Sequence, residues 1–163
     1  MADSGLGHTI EDRIAALGLV LPVVPKPVGL FQLGRIEGSL LFLSGQGPVL
    51  PDGRLATGKV GRDVTAEAAR DHAVCTGLAL LAAAGLVLGG LGRIAGVTKV
   101  LGFVNAVEDF DRHPFVIDGC SEFFHKVLGT SAQHARSAIG AASLPGRITV
   151  EIEAIFRLSD NSA

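Results

Sequence analysis

The clearest periodic signal lies near the C-terminal end. From Ile148 to Leu158, Ile148, Val150, Ile152, Ala154 and Phe156 alternate with Thr149, Glu151, Glu153, Ile155 and Arg157. Alternation of period two predicts a strand with one fully apolar face. Ile94 to Asn105 also alternates, with Val97, Lys99, Leu101 and Phe103 on one face and Thr98, Val100, Gly102 and Val104 on the other. That is a strand with mixed surroundings. Leu33–Ile36 and Leu40–Ser44 read as a hairpin around Glu37-Gly38-Ser39, with Gly38 supplying a positive φ. Leu40–Ser44 is continuously apolar up to Ser44, which suggests burial on both faces. Ala135–Ala142 is a strand of small residues.

Helical spacing appears in three places. Thr9 and Asp12 form a capping-box pattern ahead of Ile10, Ile14 and Leu17, which share one face, and Gly18 suits the cap at the far end. Thr65 is an N-cap for the main helix, Thr65–Ala84, whose glycine-rich continuation reads as its end. Pro114 suits the first turn of another helix that runs to Leu128, with Gly129 at its end. Pro22, Pro25 and Pro27 mark an extended linker, and Pro51-Asp52-Gly53 and Leu144-Pro145-Gly146 mark turns.

The order is therefore β-β-α-β-α-β-β, an α+β class with helices on one face of the sheet. The expectation is a single domain over 1–163, with 1–30 as an extension of helix and proline-containing linker and 31–158 as the core. Two helices cannot cover both faces of such a sheet, so the bare face predicts an oligomer.

Composition changes this picture little. At 163 residues, with 48% apolar and 18% charged residues, the chain has ample material for one core. The uncharged run from Ala73 to Gly92 is about long enough to span a bilayer, but its glycines and alanines make it read as a buried helix and loop. No membrane partner is expected. The first residues carry no basic stretch followed by an apolar run, so no secretion signal is read, and a cytoplasmic protein is expected. A net charge of −2, with phenylalanine as the only aromatic residue, argues against a nucleic-acid partner.

Several residues could carry chemistry. Arg136 is a long cation among Ala135, Ser137, Ala138 and Ile139, so it must reach a cleft or pair with an acid. His134, two residues earlier, shares its strand face if the strand extends that far, and could act as acid or base near neutrality. Cys120, beside Asp118 and Ser121, has His125 five residues on, a poor helical spacing for a Cys–His pair. Asp109, Asp111 and His113 lack a further ligand, so no metal is expected.

Three segments in this order carry a family resemblance: Leu41-Phe42-Leu43-Ser44-Gly45-Gln46 with Pro48; Ala135-Arg136-Ser137-Ala138; and Leu144-Pro145 leading to Val150-Glu151-Ile152-Glu153-Ala154. Together they resemble the RidA/YjgF family, also labelled endoribonuclease L-PSP, in a branch with a longer N-terminus. The resemblance implies a chorismate-mutase-like fold, a homotrimer and a pocket between subunits. It implies hydrolysis of small 2-imino or enamine carboxylic acids to 2-keto acids and ammonia, without cofactor or metal. Other members are thought to bind small molecules without turnover. By the resemblance, Arg136 holds the substrate carboxylate, Glu151 positions the attacking water, and Ala138 offers only backbone atoms where many relatives have cysteine. The pocket's tyrosine falls on Phe31, which packs but donates no hydrogen bond. Its apolar residue falls near Gly102 or Phe103, and its helical asparagine falls on Ile117 or Asp118.

Overall fold

The computed structural model describes residues 9–27 and 29–160. The stretch in which no secretion signal is read lies outside them, in residues 1–8. The elements are α1 (Ile10–Ala16), β1 (Gly34–Glu37), β2 (Leu40–Gln46), α2 (Ala66–Leu88), β3 (Ile94–Asn105), α3 (His113–Leu128), β4 (Ala135–Ala141) and β5 (Val150–Leu158). The β-β-α-β-α-β-β order follows the periodicity of the sequence.

The five strands form one sheet in the order β1-β2-β5-β3-β4. β3 and β4 run parallel, and the other neighbours are antiparallel. The parallel pair needs a crossover, and α3 supplies it. α2 and α3 pack on each other and on one face of the sheet. The apolar row of β5, from Val150 to Leu158, is buried beneath them together with Leu41, Val100 and Val104. Gly119 is required where the helices cross, because a β-carbon there would stand 2.2 Å from the carbonyl oxygen of Arg70.

The helix caps follow the sequence. The Thr9 side chain accepts from the Asp12 amide, and the Asp12 carboxylate accepts from the Thr9 amide. Thr65 accepts from the Ala68 amide. The main helix is longer than its glycines suggest. It passes through Gly85 and ends at Gly89, whose φ of 74° closes it in the left-handed region. Leu91 packs over Gly85, and burial on both helix and sheet outweighs the glycine's low propensity. This helix is long and apolar enough to cross a membrane by length and composition, but here it is the core helix, with Ala79 to Ala84 buried.

Among the described residues, the sheet's second face carries no helix. The expectation that β2 is buried on both faces does not hold, since Phe42 is 42% exposed there. Leu101 and Phe103 of β3 and Ile155 of β5 are half-buried on this face, and Ile139 of β4 is 47% exposed. In β3 the simple alternation also breaks. The register with β5 shifts between Val97 and Lys99, so Val97 is buried while Lys99, Leu101 and Phe103 turn to the bare face. One extra residue at Thr98 exchanges the faces.

Candidate functional site

The sheet divides the sequence-predicted site residues into two groups. Phe103 and Glu151 are cross-strand partners on the bare face. Phe31, 53% exposed, joins Phe42, Leu101, Glu153 and Ile155 around a cavity of about 800 Å³ on that face. Arg136 and Ala138 are paired instead with Val100 and Gly102, whose rows face the helices. Arg136 and Glu151, the two residues to which the family resemblance gives the chemistry, therefore do not meet within one chain. The two side chains stand on opposite faces of the sheet.

Glu151 owes its place to a glycine. The pairing of β2 and β5 is irregular between Leu43 and Gln46, and the Glu151 carboxylate lies over Gly45. A β-carbon at residue 45 would stand 2.3 Å from Glu151 Oε1. Among the described residues the carboxylate accepts no hydrogen bond and makes no ion pair. Burial, with Glu153 on the same face, raises its pKa above the ordinary value. A half-buried, unpaired carboxylate of this kind is suited to bind and orient water. Beside it the Ser44 hydroxyl donates to the carbonyl oxygen of Gln32 at 2.6 Å, which ties the segment carrying Phe31 to β2.

Arg136 has a different setting. It lies on the edge strand β4, and its side chain is 22% exposed. Nη1 donates to Asp118 Oδ1 at 2.7 Å and to Ser121 Oγ at 3.0 Å, both from α3. The guanidinium has five N–H donors. Both bonds leave from Nη1, and Nε and Nη2 donate to none of the described residues. Nε–H and one Nη2–H run parallel and form the two-donor edge that matches a carboxylate. The cation pairs with an acid and also lines a cleft of about 630 Å³, with Asp118, Ser121, His125 and His134 among the other walls.

His134 extends this group. Its Nδ1 is 2.5 Å from the Ala132 carbonyl oxygen, and its Nε2 is 3.1 Å from Ser121 Oγ. Burial holds its pKa below the ordinary value; the Ala132 bond opposes this and the Arg136 charge adds to it. Cys120 stands apart. It is fully buried between α3 and α2, where its sulfur faces Gly77, and burial pushes its thiol far above the ordinary range. It is a packing residue and offers no thiolate. His113 packs edge-on to Phe110 and over Gly140, and the described residues contain no cluster suited to a metal.

Asp118 and Ser121 are the residues that sequence reasoning passed over as partners of Arg136. Their spacing of three places them on one helical face, which was the available signal. Nothing in the sequence indicated that this face meets residue 136.

Residues 11–151 match the family model described as "YjgF/chorismate mutase-like, putative endoribonuclease". The chain belongs to this family. It is 31% identical to Protein TCP17 of Trypanosoma cruzi over 91% of this chain and 96% of that one. It is 32% identical to the 2-iminobutanoate/2-iminopropanoate deaminase of Salmonella typhimurium, over 80% of this chain and 89% of the relative. A crystal structure of a protein of unknown function from Agrobacterium tumefaciens superposes with a TM-score of 0.85 at 39% identity, covering 93% of this chain and 94% of that one. The YjgF-family membership and the mixed sheet with helices on one face agree with what the three sequence segments implied.

Proposed function

We propose that this protein hydrolyses a small 2-imino or enamine carboxylic acid to the 2-keto acid and ammonia. One observation carries the reading. Among the described residues Arg136 is held through Nη1 alone, which leaves its Nε/Nη2 edge to receive a carboxylate at the wall of a cleft. The deaminase name of the Salmonella relative supports the same chemistry.

In this reading the substrate carboxylate docks on Arg136, and the backbone of Ala138 on the same strand lies beside it. Water adds to the imine carbon with Glu151 as its hydrogen-bond acceptor, and the carbinolamine collapses to a ketone and ammonia. One imine and one water give one ketone and one ammonia, so the step balances without a redox partner. Glu151 lies on the other face from Arg136, so the water-positioning carboxylate comes from a neighbouring copy, together with Phe31 and Phe103. A homotrimer with sites between subunits meets this need, and it also covers the bare face that carries Phe42, Leu101 and Ile155.

A second reading has its own support. Phe31 brings no hydroxyl to the pocket, and the described chain would then serve as a carboxylate-binding or regulatory trimer. Turnover separates the two. 2-Iminobutanoate generated in place should lose its imine faster with the protein than in buffer, with 2-oxobutanoate and ammonia formed in equal amounts. Arg136→Ala should lower kcat/KM roughly a hundredfold or more, the worth of two charge-assisted hydrogen bonds. A rate equal to buffer at every protein concentration would reject the hydrolase and leave the binding protein.

A further inference from the structure

The hydrogen-bond chain behind Arg136 has a fixed direction. The Ala132 carbonyl oxygen can only accept, so the proton on His134 sits at Nδ1. In the neutral ring Nε2 is then an acceptor, and the Ser121 hydroxyl donates to it. With its proton committed to His134, Ser121 turns its lone pairs to Arg136 Nη1. Asp118 Oδ1 takes the other Nη1 hydrogen. Every donor at that corner of the guanidinium is thereby used, and three side chains settle where the opposite corner points.

We infer that Asp118, Ser121 and His134 are positioning residues that clamp Arg136 at Nη1, so that its free Nε/Nη2 edge is held ready for a single carboxylate. The inference rests on the reading of Arg136 as a carboxylate anchor and adds what holds the anchor. An arginine on an edge strand has four rotatable side-chain bonds, and pairing it with a ligand would otherwise require ordering them. Here the ordering is done on folding. His134 acts two bonds away, through Ser121, and does not itself meet the ligand. The polar side chains of Glu122, His125 and Lys126, also around the cleft, make no hydrogen bond to the clamp.

The test uses 2-oxobutanoate as a stable carboxylate probe and 2-iminobutanoate as the substrate, with the full chain. Ser121→Ala and His134→Asn should each raise the dissociation constant of 2-oxobutanoate about five- to tenfold, the net worth of one ordinary hydrogen bond, because neither residue touches the ligand. KM should rise in parallel, with kcat changed less than threefold, because the anchor acts in ground state and transition state alike. Ser121→Thr keeps the hydroxyl and should restore both values, which loss of packing would not do. Melting temperatures near the parent's confirm that the variants are folded. If the parent binds the probe and both Ser121→Ala and His134→Asn bind it equally well, the clamp is wrong while the anchor stands. If the parent binds no carboxylate, the anchor reading itself has failed and the clamp falls with it.

Discussion

Arg136 and Glu151 stand on opposite faces of one sheet, two strands apart in the order β5-β3-β4. Arg136 is paired with Val100 under the helices, and Glu151 with Phe103 on the bare face. A site that uses both must draw them from different copies. Mixed oligomers of Arg136→Ala and Glu151→Gln should therefore regain activity although each variant alone is inactive. In a cyclic trimer that contains both variants, about one site in three receives both native residues. Co-expression with two affinity tags and assay of the doubly tagged species checks this. Mixed oligomers as inactive as the parents would rule out a site shared between copies.

The sequence placed the elements well because their signals are local. The Thr9 and Thr65 caps, the Gly38 turn and the alternation in β5 each depend on a few neighbouring residues. What it missed depends on partners distant in the chain. Gly85 looked like a helix end until Leu91 and the sheet covered it. Thr98 shifted the faces of β3 through its register with β5. Strand parity groups Arg136 with Ala138, and Glu151 with Glu153, but parity within a strand cannot say how two strands are phased. Only the pairing of residue 136 with 100 and of 151 with 103 does so. Family motifs named Arg136 and Glu151, whereas Asp118 and Ser121 became visible only when α3 was laid against β4.

Gly45 controls Glu151 by leaving it space. Gly45→Ala would place a methyl group on the carboxylate and push Glu151 off its position. The expected result is a loss of kcat close to that of Glu151→Gln, with a destabilisation of about 1–3 kcal/mol from overpacking. Binding of 2-oxobutanoate at Arg136 of the neighbouring copy should fall much less. Equal losses in binding and turnover would mean that Gly45 acts through the backbone of β2 and not through Glu151.

The two cysteines should differ sharply in reactivity. Cys75 is partly exposed, with its thiol pKa raised mainly by burial, while Cys120 is sealed between α2 and α3. A disulfide reagent should titrate both thiols in denaturant and leave Cys120 unmodified in the native protein. Modification of Cys120 at the rate of global unfolding is the expected limit. Faster reaction would place an opening motion at the α2–α3 interface.

Glu151 also sets a pH dependence whose sign is fixed. Its pKa in the folded protein is raised by burial and by Glu153. The folded state therefore holds this proton more tightly than the unfolded state does, and stability gained from it increases as pH falls through the folded pKa. Above that pKa the ionised, half-buried carboxylate is a cost to folding. Glu151→Gln should accordingly melt higher than the parent at pH 8, and the gap should close as the pH is lowered toward the ordinary glutamate value. Activity should move the other way, because water is oriented by the ionised form. The acid limb of kcat/KM should lie above the ordinary glutamate pKa. Glu153→Gln removes the neighbouring negative charge and should shift that limb to lower pH, with the melting advantage of Glu151→Gln reduced in the same background. A limb unmoved by Glu153→Gln would assign the titration to another group, and His134→Asn would then be the variant to examine for it.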